Sequence, residues 1–403
     1  MKYKTRYLFF FTAMILFHLA ASFAHPVTPT IIQELALPDY MFGLMLATMM
    51  TANFLFSPFW GKINLYISSR RSLLICCVGY GLAQLGFAYA TTQGVILLVR
   101  FLAGVFIGGI FVSLLTYVVN TARPEDQGRF LTYSATFHSV FGAFGYLVGG
   151  VLGEYSIRAT FLLQAGTLCT AGILFFLFCQ EDAHCTEPIA PKKLAQQANP
   201  FRAFQDSKLF MNTAFALLFA VNILINLGNT GFDQAFNYYL KDFLGLTSSY
   251  NGLIKTIVGF ISFAANMSLC LWIIRKTNAS RSMVVLTGLC ALAALGTVVS
   301  SGLAFVLFGV LLYASYSISL PVLQDIIARQ ADPEQKNLVM GFYNASKSLG
   351  SIIGSLAVGF LYTAHVRLPF LCMAVVYSLA VAATLGYALY ARRMGTRVPC
   401  SER

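Results

Sequence analysis

Two basic side chains set within otherwise apolar runs, Lys347 and His138, are the first candidates for chemistry in this chain. An ionisable group at the middle of a bilayer costs at least about 2.5–3.5 kcal/mol, so each is a site candidate by default. Lys347 falls about nine residues into the run 338–362. That is roughly 14 Å at about 1.5 Å per residue, near the centre of a hydrocarbon core of about 30 Å. An ammonium there must be neutral, paired with an acid, or facing an anion, and both residues are read as substrate-binding groups. The competing reading is a structural bond to an acid or a carbonyl. A second set is Asn222, Asn226, Asn229 and Asp233, spaced four, three and four, which share one helical face. His18, Ser22 and His25 repeat the rhythm in the first apolar run. Asn222, Asn226, Asn229 and His18 are expected to line a hydrated pathway and contact substrate. Their competing role is bonding between helices, at about 0.6–2 kcal/mol per contact. Asp233 is the first choice for a proton-carrying group, because a carboxyl within a span is costly to hold charged. Arg100 and Lys255 sit near the outer ends of their runs, close enough to snorkel outward. Asp325 is expected to pair with Arg329, one helical turn on.

The elements that must position these residues follow from composition. Of 403 residues, 58% are apolar and 10% charged, against roughly 45–50% and about 25% in soluble domains. Such a chain cannot cover a water-facing surface, which argues against a soluble enzyme, a disordered chain, collagen or a coiled coil. Apolar runs of about 20 residues predict twelve transmembrane helices, near 7–31, 41–66, 72–92, 94–120, 130–153, 157–179, 209–236, 249–273, 282–301, 303–328, 338–362 and 369–391. The formal charge of +12 alternates by loop and forms no solvated basic domain, so no nucleic-acid partner is expected. With the N-terminus inside, 21 of the 27 Lys and Arg fall on the cytoplasmic side. This positive-inside pattern predicts a multi-pass protein of the plasma or inner membrane with both termini cytoplasmic. The start of the chain imitates a cleaved signal peptide, with Lys2, Lys4 and Arg6 before an apolar run and Ser-Phe-Ala before His25. Cleavage at Ala24 would leave eleven spans and break the alternation, so the segment is read as the first span. Nine cysteines, most within spans and none in a C-x-x-C pair, read as buried reduced thiols. No metal and no cofactor is expected.

The chain also repeats itself. At an offset of 209, Pro124-Glu125 falls on Pro333-Glu334, Gly43 on Gly252, Gly145 on Gly354, Gly150 on Gly359 and His138 on Lys347. An offset of 208 places His18 on Asn226 and His25 on Asp233. The expected organisation is an all-α membrane protein of two pseudo-symmetric six-helix bundles, 1–180 and 209–403, joined by a cytoplasmic linker at 181–208. A parallel repeat of this kind places a substrate site between the halves near mid-depth.

The twelve spans, the 6+6 repeat and the long middle loop resemble the major facilitator superfamily, over nearly the whole chain. SPFWGKINLYISSRR is similar to the family's G-x-x-x-D-R-x-G-R-R loop through Gly61, Arg70 and Arg71. LVRFLAGVFIGG resembles the R-x-x-x-G pattern of span 4 through Arg100, Gly104 and Gly108. GAFGYLVGGVLGE resembles the glycine motif of the twelve-span drug:proton antiporters through Gly142, Gly145, Gly149, Gly150 and Gly153. The resemblance implies a proton-coupling role for Arg100. Two departures stand out: Leu65 and Tyr66 replace the acid and the arginine of the loop motif, and the span 5 motif lacks its accompanying proline.

No G-x-x-x-x-G-K, H-E-x-x-H or G-x-S-x-G occurs, which argues against ATP-driven transport by this chain and against hydrolase chemistry. The reading is a secondary active transporter, not an enzyme, expected to act as a monomer in the lipid bilayer on a small-molecule substrate and protons. Proton-coupled efflux of small amphipathic compounds by alternating access, as in multidrug resistance, is the leading function. The alternative is transport of a specific anionic metabolite, such as a carboxylated sugar, a siderophore or an opine-like compound. It rests on the sign of the interior charges, Arg100, Lys255 and Lys347 against Asp233 and Asp325. A membrane enzyme or a sensor is the remote alternative.

Overall fold

Apolar runs without water to satisfy their backbone must bond within themselves, and helix is the conformation that does so. The computed structural model describes residues 3–182, 198–332 and 335–393, and every regular element among them is helical. The first group is α1 (Tyr3–Ala21), α2 (Thr28–Glu34), α3 (Met41–Ile67), α4 (Ser69–Tyr89), α5 (Gln93–Thr121), α6 (Pro124–Tyr155) and α7 (Ile157–Phe178). The second is α8 (Arg202–Asp206), α9 (Thr213–Asp242), α10 (Ser248–Ala265), α11 (Leu271–Lys276), α12 (Ala279–Val299), α13 (Gly302–Gln330), α14 (Lys336–Ala364) and α15 (Leu368–Arg393). Ten of the described helices are long and apolar enough to cross a membrane. The remaining expected spans fall on α1 and α14, the helices that carry His18 and Lys347. The exterior is apolar (Leu82, Leu292 and Leu303 are exposed) while His18, Arg100 and Asn222 are buried. That pattern suits a chain whose solvent is lipid.

Two expected spans are not continuous α-helix. The run 7–31 breaks after Ala21, where tight turns join Ser22 N to Leu19 O and His25 N to Ser22 O before α2 begins. Pro26 is the cause, because it has no N–H to offer the preceding turn and its ring clashes with it. The eighth run widens into a π-helix at Asn266–Cys270 between α10 and α11, a local one-turn bulge.

The chain forms two compact units. One holds Met1–Leu37, Thr48–Pro200 and Gly245–Gly259; the other holds Pro38–Ala47, Phe201–Leu244 and Phe260–Arg403. Helices α3 and α10 are therefore each divided between units, and the reason lies in matched glycines. In the first unit Gly252 of α10 sits on the Tyr146 carbonyl and on Gly150 of α6, and Thr256 donates to Ala143 O at 2.8 Å. In the second, Gly43 of α3 sits on Gly359 of α14, and Ser355 donates to Gly43 O at 2.8 Å. Only helices without a Cβ at the crossing approach this closely. A further crossing recurs in both units. Gly145 of α6 meets the Leu19 carbonyl of α1, and Gly354 of α14 meets the Leu227 carbonyl of α9. The repeat seen in the sequence thus extends to which backbones touch.

At one end of the first unit, Asp182, directly after α7, is buried against the start of α4. Its carboxylate accepts from Ser68 Oγ (2.7 Å), Ser69 N (2.7 Å), Ser69 Oγ (2.6 Å) and Asn120 Nδ2 (3.3 Å). Ser68 adopts φ 70°, a strained backbone for a residue with a side chain. Glu181 pairs with Arg70 at 3.1 Å and Arg71 at 3.0 Å. The loop motif has no acid at Leu65; here the acids beside Arg70, Arg71 and the start of α4 are Glu181 and Asp182, from the chain after α7. At the same end Tyr3 donates to Asp126 (3.0 Å) and lies under Arg123. The seven described cysteines are unbridged. Residues 183–197, most of the expected linker, lie outside the described residues, as do Pro333, Glu334 and the C-terminal segment with Cys400.

Candidate functional site

In the second unit the polar face of α9 meets α13 and α14. Asn222 and Asn226 are both fully buried. Asn222 Nδ2 donates to Tyr343 O (2.9 Å) and Ser346 Oγ (2.8 Å) of α14. Asn226 Nδ2 donates to Asn222 O (2.7 Å) and Asn222 Oδ1 (3.0 Å), and its own Oδ1 accepts from Tyr316 OH of α13 at 2.9 Å. One turn on, Thr230 bonds Ser351 at 3.0 Å. Tyr313 OH donates to Asp233 Oδ1 at 2.8 Å. The four-three-four spacing therefore builds a polar ladder joining three helices, and both N–H donors of Asn222 and Asn226 are engaged within it. Asn229 differs: its Oδ1 is buried with no hydrogen-bond partner among the described residues.

Lys347 is half-buried on α14. Tyr343 and Ser351, four residues to either side, and Gly350 and Gly354 all meet α9, so Lys347 lies on the α9-facing side. No hydrogen bond or ion pair to its Nζ occurs among the described residues. Asp325 is instead paired with Arg329 at 2.8 Å, as its i,i+4 spacing predicts.

In the first unit His18 of α1 is buried and its Nδ1 lies 3.2 Å from Nδ1 of His138 on α6. Their rings meet nearly edge-on with centroids 4.9 Å apart. Phe111 of α5 packs on both, at 6.1 and 5.6 Å. His25 stacks on Tyr146 at 5.3 Å instead. Arg100 is buried, with its guanidinium 3.8 Å from the centroid of Phe87 and Nη2 3.4 Å from Thr28 Oγ1. It is held by a ring face and a hydroxyl, and its Nε has no partner among the described residues.

The sequence reading missed several of these partners. Tyr313 and Tyr316 were lost among the abundant aromatics of the spans, although a phenol three residues from another on an apolar helix presents two hydroxyls to one side. Ser346 gave no signal of its own. Two further tyrosines of the second unit also hold acids: Tyr238 OH donates to Asp39 (2.7 Å) and Tyr362 OH to Asp242 (2.9 Å). Only the pairing of distant elements reveals these.

Comparison with known proteins agrees with this architecture. The chain is 20% identical over 370 residues to Multidrug resistance protein 2 of Bacillus subtilis (strain 168), covering 91% of each chain. It is 25% identical over 355 residues to the class C Tetracycline resistance protein of Escherichia coli, covering 84% of this chain and 85% of that one. The fold matches the crystal structure of a bacterial homolog of the human lysosomal transporter Spinster in its inward-facing, occupied form. The TM-score is 0.76 at 12% identity, over 94% of this chain and 96% of that one. The model of the Major Facilitator Superfamily matches residues 10–323 and, again, 300–399. A helical chain with a duplicated set of glycine crossings, buried polar ladders in place of a catalytic constellation, and a family match along nearly its whole length belongs to the Major Facilitator Superfamily of membrane transporters.

Proposed function

We propose that the protein is a secondary exporter of small amphipathic compounds, driven by the proton gradient and working by alternating access of two six-helix halves. The observation that carries this reading is the match, along about nine-tenths of the chain, to a multidrug resistance protein. Asp233, held by the Tyr313 hydroxyl, is the carboxyl proposed to bind the coupled proton, with Arg100 as the buried cation of the other unit. Lys347 and Asn229 are the groups proposed to meet substrate. Asn222 and Asn226 support them by fixing α14 and Tyr316. The N-terminus, the loop at Arg70 and Arg71, the loop at Arg123 and the chain after α7 are assigned to the cytoplasmic side. The distribution of basic residues supports this, as does the gathering of Tyr3, Arg123, Asp126, Arg70, Arg71, Glu181 and Asp182 at one end of a unit.

A second reading, transport of a carboxylated metabolite, is favoured by one observation: Lys347 has no acid beside it among the described residues. One experiment addresses both readings. Purified protein in proteoliposomes with an imposed pH gradient is offered cationic, neutral and anionic fluorescent compounds, with Lys347→Gln alongside. Exporter activity predicts gradient-driven movement of cationic or neutral compounds. If Lys347 receives a substrate anion, Lys347→Gln weakens transport of anionic compounds by about 10- to 100-fold, the value of a hydrogen bond to a charged group, and spares the others. An equal loss for every compound would remove Lys347 from substrate recognition.

A further inference from the structure

We propose that His18 and His138 form a proton-binding site of their own, which takes up one proton between their facing Nδ1 atoms. The argument starts from the 3.2 Å separation of those nitrogens. A bond between two imidazole nitrogens needs one donor and one acceptor. In the neutral pair one ring carries its proton at Nδ1, while the other keeps its proton at Nε2 and offers the Nδ1 lone pair. An added proton at the unprotonated Nε2 of the donor ring gives imidazolium bonded to imidazole through the same contact, now charge-assisted. A second added proton would set N–H against N–H and two positive rings against each other, so the contact would break. The geometry therefore holds a capacity of one proton.

The surroundings fit that role. His18 is buried between α1 and α6, whereas His138 is exposed, so the pair is reached through the His138 ring. The walls are aromatic: Phe17 lies 4.9 Å from the His18 ring, and Phe111 touches both histidines. Among the described residues of these walls no carboxylate stands to fix the charge. The charged groups of every element packed on the pair in this unit are remote along their helices. On α1 they are Lys4 and Arg6, on α5 Arg100, on α6 Glu125, Asp126, Arg129 and Glu154, and on α7 Arg158. The nearest of these by helix rise is Arg129, nine residues from His138, or roughly 13 Å. Lys255 of α10 is nearer. It adjoins Thr256, which bonds Ala143, five residues from His138 and so roughly 8 Å along α6. Its charge opposes protonation of the pair, so the first proton must be held by the shared bond and a second is disfavoured further. The titratable tyrosines and histidine of these faces, Tyr7, Tyr133, Tyr146 and His25, are seven or more residues away from the pair's own member on the same helix, except Tyr133, at five. At the equivalent crossing of the second unit the positions hold Asn226 and Lys347, and Asn226 donates to Asn222. The paired imidazoles are a feature of one unit only.

The coupling role of the pair rests on the transport reading above, but its proton chemistry does not. The test uses the full chain in lipid nanodiscs with histidine labelled with nitrogen-15, titrated with acid and followed by magnetic resonance. The expected result is a nitrogen–nitrogen coupling between His18 and His138 and uptake of one proton shared by the two rings between about pH 5 and 8. His138→Asn, which keeps a hydrogen-bonding group but cannot titrate, removes that step. Uptake of two protons by independent rings, or of none across that range, would overturn the proposal. In proteoliposomes, with ethidium as the probe, the ratio of gradient-driven accumulation to gradient-free exchange should fall in both His138→Asn and His18→Asn. A fall in both rates by the same factor would overturn the coupling role. If the unmodified protein moves no ethidium under any gradient, the export reading fails, while the titration of the unmodified protein still decides the pair.

Discussion

Asp182→Asn exchanges one oxygen of a buried carboxylate for an amide nitrogen at the first turn of α4. The carboxylate accepts four hydrogen bonds, from Ser68 Oγ, Ser69 N, Ser69 Oγ and Asn120 Nδ2. An asparagine whose oxygen keeps Ser68 Oγ and Ser69 N turns its amide toward Ser69 Oγ and Asn120. The serine hydroxyl can rotate to accept, but the Asn120 amide meets donor with donor. Loss of one hydrogen bond to a charged group costs about 1.5–3 kcal/mol, and loss of the negative charge at a helix N-terminus adds about 0.3–1 kcal/mol. The expected destabilisation is about 2–4 kcal/mol. For a cooperative unit of this size it lowers the melting temperature by roughly 5–15 °C. Trp60 donates to Val105 O within the same unit, and Trp272 is exposed. Thermal unfolding in a Trp272→Phe background, followed by tryptophan fluorescence, therefore reports on the unit concerned. Asn120→Ala should blunt the effect, because the bond lost in Asp182→Asn is the one that Asn120 donates. A shift under about 2 °C, or a coupling energy below about 0.5 kcal/mol between the two substitutions, would refute the account of Asp182 as the fastening of α4.

Asp233→Asn keeps an acceptor for the Tyr313 hydroxyl but cannot carry a proton. It should abolish pH-driven transport in proteoliposomes while substrate binding, measured by fluorescence quenching, persists; undiminished driven transport would remove Asp233 from coupling. Gly145→Ala and Gly354→Ala each drive a methyl into a carbonyl oxygen of the neighbouring helix. Each should cost about 1–3 kcal/mol, the usual range for overpacking, and chemical denaturation of the two variants should give similar losses.

Most of the architecture was legible because its cause is local. Runs of apolar residues about as long as the bilayer is thick force helices, and ten of the helices pass on length and hydropathy alone. The break after Ala21 was equally present in Pro26, but hydropathy averages over such a residue and hides it. The i,i+4 pair of Asp325 and Arg329 could be read from one helix. The site was legible only in its stripes. That Asn222, Asn226, Asn229 and Asp233 share a face follows from helical rhythm; what that face meets depends on α13 and α14, some 90 to 125 residues away. The repeat offset paired His18 with Asn226 and His138 with Lys347. It did not reveal that the two histidines touch, because an offset relates halves and carries no information on neighbours within one. Asp182 gives no sequence signal for the opposite reason, since it lies 113 residues from Ser69 and only the fold brings it to α4.

The crossing of Gly145 on Leu19 and of Gly354 on Leu227 occurs twice within one polypeptide. Each copy is thus a matched control for the other, expressed at the same level, in the same membrane and at the same stoichiometry. What recurs in both copies marks what the close approach of the backbones itself demands. Here that shared remnant is the glycine and the carbonyl it admits. The side chains around it differ, with paired imidazoles in one copy and an amide with an ammonium in the other. Engineering can exploit the same freedom. Placing His at position 347 (Lys347→His), or Lys at 138 (His138→Lys), changes the chemistry beside a crossing whose counterpart in the other unit already carries that side chain.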